Sequence, residues 1–165
     1  MIENIYWVSP VLGLDVIAFR LIAAALLGAV LGIEREAQNR DAGLKTHMLT
    51  AIAAATFTIV TFELFMAVRS SDGVSADPLR VIEAVTAGVA FIAAGAIIRN
   101  DDKVRGLTTG AGMWLAGAIG IAAGAGHIML AAIAAVLGFL VLTVVRWIQQ
   151  EVLPDKDETH SGSHK

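Results

Sequence analysis

Five times between residues 16 and 148 the chain runs through about twenty apolar residues and then breaks into a short polar stretch. The first run, "VIAFRLIAAALLGAVLGI" at 16–33, is interrupted only by Arg20; the others cover 47–68, 79–98, 107–124 and 128–148. A helix of about 20 residues crosses a bilayer, and only a helix pairs its own backbone groups within one segment in lipid. With 56% hydrophobic and 16% charged residues in a chain of 165, there is too little polar side chain to coat a soluble domain. The expected fold is therefore an all-α polytopic membrane protein, a bundle of five transmembrane helices within residues 1–150. The polar tail 151–165 has no apolar periodicity and is expected to be disordered. There is no cysteine, which excludes disulfides, thiolate metal sites and cysteine nucleophiles. The start, "MIENIYWVSPVLGLD", lacks the basic region and cleavage site of a signal peptide, so the first run is expected to remain as a helix.

Lysine and arginine set the orientation. Arg35, Arg40 and Lys45 follow the first span, Arg99, Lys103 and Arg105 the third, and Arg146, Lys156 and Lys165 the fifth. Only Arg69 and Arg80 fall on the other side, so both charged loops and the C-terminus are expected in the cytoplasm and the N-terminus outside.

Lipid gives helices no hydrophobic reason to associate, so small residues and polar pairs must hold them together. Gly28–Gly32, Gly106–Gly110 and Gly120–Gly124 are GxxxG pairs, and Gly95 aligns with Gly32 when the chain is set against itself at an offset of about 63 residues. These glycines are expected at close helix contacts, within one chain or between the two copies of a homodimer. The ionisable residues inside or bordering spans are Arg20, Glu63 and Glu83. They read either as an arginine–glutamate pair fixing helix register or as the mouth of a cation or proton route. The pair is favoured, because a route needs polar residues through the whole depth of the membrane.

The first loop, "IEREAQNRDAGLKTH", carries Glu34, Arg35, Glu36, Arg40, Asp41 and Lys45. Helix is expected to run on through Glu34 and Arg35, Gly43 to supply the flexible reversal, and Thr46 to cap the next span. A shorter version, "VRGLTTG", holds Arg105, Gly106 and Thr109. The first loop reads as a polar helix end with snorkelling arginines, as a surface that recognises a partner, or as a divalent-cation site built on Glu34, Glu36 and Asp41. Arg35 and Arg40 compete for those carboxylates, which argues against a strong Mg2+ site; no other cofactor is indicated.

The two stretches "LGIEREAQNRDAGLKTHML" and "AGVAFIAAGAIIRNDDKVRGLTTGAGMWLAGAIGIAAGAG" together resemble the MgtC/SapB family of bacterial inner-membrane proteins. The likeness covers the five spans and is sharpest at Gly32, Glu34, Arg35, Arg40, Gly43, Leu44 and Thr46, then at Gly106, Leu107, Thr109, Trp114, Gly120 and Gly124. The chain departs from the family in reading "AFIAAG" where members read "GFLGAG", and the soluble ACT-like domain many carry is not expected after its short tail. The resemblance implies a link to growth in low magnesium and to survival inside host cells. It further implies a regulator that acts through membrane partners such as the F-type ATP synthase. The alternative is a small oligomeric transporter of magnesium, another cation or protons. An enzyme is not expected: HExxH and GxSxG are missing, and His47 and His127 fall on opposite sides of the membrane, with His47 read as interfacial. Nothing points to a nucleic-acid partner.

Overall fold

The computed structural model describes residues 10–69, 77, 79–100 and 103–152. Five helices account for nearly all of them: α1 (Leu14–Ala37), α2 (Leu44–Arg69), α3 (Leu79–Gly95), α4 (Leu107–Gly124) and α5 (Ile128–Val152). Each of the five apolar runs has become one helix. α1, α2, α4 and α5 are long and apolar enough to cross a membrane. α3, with 17 residues, reaches roughly 26 Å at 1.5 Å per residue, a little under the hydrocarbon thickness.

The third span ends earlier than expected, at Gly95 rather than near residue 98. The chain there turns into a small antiparallel hairpin, β1 (Ile98–Asn100) against β2 (Lys103–Arg105), in which Ile98 pairs with Arg105, Arg99 with Val104 and Asn100 with Lys103. Gly106 follows in the left-handed region, with φ of 86°. A side chain there would collide with the carbonyl of Ala96, so glycine is required both for the turn and for the close approach. α5 runs past its expected end to Val152, and the rest of the tail lies outside the described residues.

α4 is the hub, packed against all four other helices. Its sequence, "LTTGAGMWLAGAIGIAAG", has small residues on nearly every face, so neighbours approach to backbone distance. A methyl added at Gly124 would lie 2.8 Å from the Cα of Ala55, and one at Gly110 would lie 3.0 Å from the carbonyl oxygen of Ala93. On α1, Gly28 meets Ala51 and Gly32 meets Leu44 just as closely, with added-methyl distances of 2.9 Å to the Ala51 Cβ and 2.7 Å to the Leu44 Cα. Gly95 departs from this pattern. It has nothing within 4 Å, because α3 ends there on an exposed face.

The core between α1, α2, α4 and α5 is mostly alanine: Ala24, Ala51, Ala55, Ala116, Ala123, Ala131 and Ala135, with Leu31 and Ile119 the only large members. The bulky apolar side chains point outward instead, among them Phe19, Leu26, Phe57, Phe91, Leu137 and Val141. In water so much exposed apolar surface would drive aggregation. Against lipid tails it is the matching solvent.

Candidate functional site

The residues of the first loop are set by how α1 ends. Gln38 and Asn39 close the helix, Asn39 in the left-handed conformation with φ of 52°. The Asn39 N–H donates to the Glu36 carbonyl at 3.0 Å and the Arg40 N–H to the Arg35 carbonyl at 3.1 Å. This is a Schellman stop, with asparagine in the place where glycine is commonest. The reversal expected of Gly43 thus belongs to Asn39. Gly43 serves a different need, since a Cβ on it would run into the Glu36 carboxylate. That carboxylate accepts from the Leu44 N–H at 2.9 Å and caps α2, the role expected of Thr46. Thr46 instead offers its carbonyl to the Thr50 hydroxyl at 2.9 Å.

Glu34 and Arg35 fall on the inward face of the last turns of α1, where they are only 8% and 5% exposed. The Arg35 Nη2 donates to the hydroxyl of Thr109, at the start of α4, at 2.9 Å. This bond joins the end of α1, in the first charged stretch, to the start of α4, in the second. Glu34 lies 3.8 Å from Arg35 and 3.9 Å from Arg146 of α5, and Gln38 donates to it from the next helical turn. A buried charge is tolerable only when paired and hydrogen-bonded, and this cluster satisfies Glu34 and Arg35 in part. The Glu34 Oε2, the Arg35 Nε and the His47 Nε2 are buried with no hydrogen-bond partner among the described residues.

His47 is fully buried rather than interfacial. Its Nδ1 lies 2.9 Å from the Gly43 carbonyl, which can only accept, so Nδ1 carries a proton, and Nε2 faces Gly112. Neither His47 nor Arg146 stands out as a site residue in the sequence. Gln38 has a readable signal, four residues after Glu34 on one helix face. The remaining loop residues stay apart: Arg40, Asp41, Lys45 and Arg105 are exposed. The divalent site considered for Glu34, Glu36 and Asp41 is not assembled, since the three carboxylates diverge. Among the described residues no group of three or more histidines, aspartates or glutamates converges to hold a metal ion.

Two polar cavities open at this end of the bundle. One, about 260 Å³, lies between the loop and the start of α4 and is lined by Arg35, Arg40, Gly106 and Thr108. The other, about 310 Å³, adds Gln38 and Arg146 and reaches the apolar side of α5 at Val141 and Val145.

At the opposite end, the expected arginine–glutamate pair does not form. The Arg20 Nη1 donates to the Gly124 carbonyl at 2.8 Å, covering the C-terminal, negative end of the α4 dipole. Glu63 accepts from the N–H groups of Val11 and Leu12 at 2.6 and 2.9 Å and so ties the chain ahead of α1 to α2. Glu83 is exposed on α3, with no partner among the described residues. Backbone groups took the partners' places, because carbonyls and N–H groups at helix ends are themselves unsatisfied.

Lipid-facing apolar helices around an alanine core, with buried ionic groups gathered at one end, define a small polytopic helical membrane protein. Its family follows from comparison: the sequence model described as "MgtC family" matches residues 21–151, and the chain belongs to that family. It is 41% identical over 125 residues to "Putative magnesium transporter YhiD" of Escherichia coli (strain K12), a match covering 76% of this chain and 58% of that protein. Protein SapB of Bacillus subtilis (strain 168) is 34% identical over 85% of this chain and 61% of its own length. Protein MgtC of Brucella abortus (strain 2308) is 38% identical over 79% of this chain and 51% of its own length. The chain thus spans about half to three-fifths of the length of these relatives. No solved structure matches it significantly.

Proposed function

We propose that the chain is a bacterial inner-membrane protein of magnesium homeostasis that regulates rather than transports, through the charged end of its bundle, which faces the cytoplasm. The observation that carries this reading is the distribution of polarity. Glu34, Arg35, His47, Thr50 and Thr109 are the buried polar side chains among the described residues, and all belong to the charged end. Between them and Arg20 at the other end lies a core of alanine, leucine and isoleucine. An ion route needs polar groups or water through the full depth. A membrane partner, with the F-type ATP synthase the one implied by the family resemblance, would meet the exposed Lys45 and Arg105.

The transporter reading draws support from the printed name of the Escherichia coli relative, and a flux assay separates the two. The full chain in liposomes holding a magnesium indicator is expected to pass no more Mg2+ than empty liposomes, while a photo-crosslinker at Lys45 captures one membrane complex in cells. Mg2+ flux that disappears in Glu34→Gln would overturn regulation in favour of transport.

A further inference from the structure

The basic end of the bundle has more donors than acceptors, and they converge. α4 is 18 residues long and begins at Gly106 with no side-chain cap, so the N–H groups of its first turn have no capping acceptor. The positive end of its dipole opens into the cavity lined by Arg35, Arg40, Thr108 and Thr109. Arg35, 5% exposed, forms a wall of that cavity and of its neighbour. Arg40 and Thr108 are likewise common to both cavities. Arg146 adds a third guanidinium to the second. Among the described residues no acidic side chain lines either cavity, and the nearby Glu34 is already engaged by Arg35, Arg146 and Gln38. Three arginines leave the pocket cationic.

We propose that this double pocket binds a phosphate group, held by Arg35, Arg40 and the N-terminus of α4, and that its usual source is an anionic phospholipid headgroup. The second cavity favours the lipid. Its far wall is Val141, Leu142 and Val145 of α5, and Val141 and Val145 are exposed on the face turned to the acyl chains. A headgroup phosphate lodged among the arginines would leave its glycerol and acyl chains lying along that wall. Guanidinium groups match phosphate oxygens in fork geometry, and basic pockets between helices suit anionic headgroups. The inference does not depend on the magnesium reading, because it is read by binding alone.

The test uses the purified full chain in a neutral detergent, titrated with dioctanoyl phosphatidylglycerol, dioctanoyl phosphatidylcholine or inorganic phosphate and followed by thermal shift and native mass spectrometry. Phosphatidylglycerol is expected to bind and to raise the melting temperature, while phosphatidylcholine binds at least about tenfold more weakly. Arg40→Gln, at an exposed position that folding does not need, should weaken phosphatidylglycerol about tenfold or more. Arg146→Gln is a second variant in case the first perturbs the loop. Failure of inorganic phosphate to compete assigns the site to lipid, and competition at equal affinity assigns it to a soluble phosphate; either outcome upholds a phosphate site. Equal binding of the two lipids, or unchanged phosphatidylglycerol affinity in both variants with no effect of inorganic phosphate, overturns the proposal.

Discussion

Replacing Gly120 by alanine tests whether backbone-to-backbone packing at α4 holds the bundle together. The added methyl would run into the carbonyl oxygen of Ala51 and lie 2.9 Å from both its carbonyl carbon and its Cα. Carbon atoms rest at about 3.5 Å or more, so the carbon contacts alone require α2 to retreat by about 0.6 Å, and the carbonyl oxygen requires more. No rotamer change relieves this, because every obstructing atom is main chain. With main-chain atoms as the obstruction, overpacking falls in the upper part of its usual range, about 2–3 kcal/mol, and the better helix propensity of alanine returns up to about 1 kcal/mol. A net loss of about 1–2 kcal/mol is expected. Gly95→Ala is the matched control, since the open space at Gly95 leaves only the propensity gain, below about 1 kcal/mol. Unfolding of the full chain in mixed micelles, titrated with dodecyl sulfate and followed by circular dichroism, compares the midpoints. A Gly120→Ala midpoint equal to wild type, or an equal drop in Gly95→Ala, would refute the reasoning.

Thr109→Val removes the acceptor of the Arg35 Nη2 and should destabilise by about 1–3 kcal/mol, whereas Thr109→Ser should stay near wild type in a detergent melting assay. Asn39→Val forces a β-branched residue into a left-handed position and should cost about 1–2 kcal/mol, while Asn39→Gly should be neutral or mildly stabilising in the same assay. Gly106→Ala meets both an unfavourable φ and the Ala96 carbonyl, so amide exchange in the paired segments 98–100 and 103–105 should accelerate. Unchanged protection there would remove Gly106 as the hinge of the hairpin.

The five helices were legible because apolar runs of membrane length have no other solution in lipid. Gly28, Gly32, Gly110, Gly120 and Gly124 were legible for a similar reason: glycine at helical spacing in a membrane span has few uses other than close approach, whereas Gly106, read with them, proves to be a left-handed turn residue. The hairpin was not, since strands of three residues show no period and Arg99 to Arg105 read as polar loop. Arg20 and Glu63 were recognised as needing partners, but their partners are main-chain groups, which no side-chain pattern can reveal. In the first loop the sequence singled out Gly43 and Thr46 for roles that other residues fill. Gly43 is the commoner left-handed residue, yet Asn39 sits where α1 stops, and a carboxylate eight positions earlier in the chain caps α2 in place of Thr46. The link from Arg35 to Thr109 joins distant motifs and became visible only with α1 and α4 side by side.

The alanine core has a consequence for motion. Alanine and glycine have no rotamers to freeze when helices associate, so assembly of α1, α2, α4 and α5 loses almost no side-chain entropy. The same economy narrows internal rearrangement, because a core with few rotamers has few alternative packings. Conformational change in this protein therefore travels more readily as whole-helix displacement. α3, which meets α4 along one face and α2 only thinly, is the helix whose displacement would break the fewest contacts between helices.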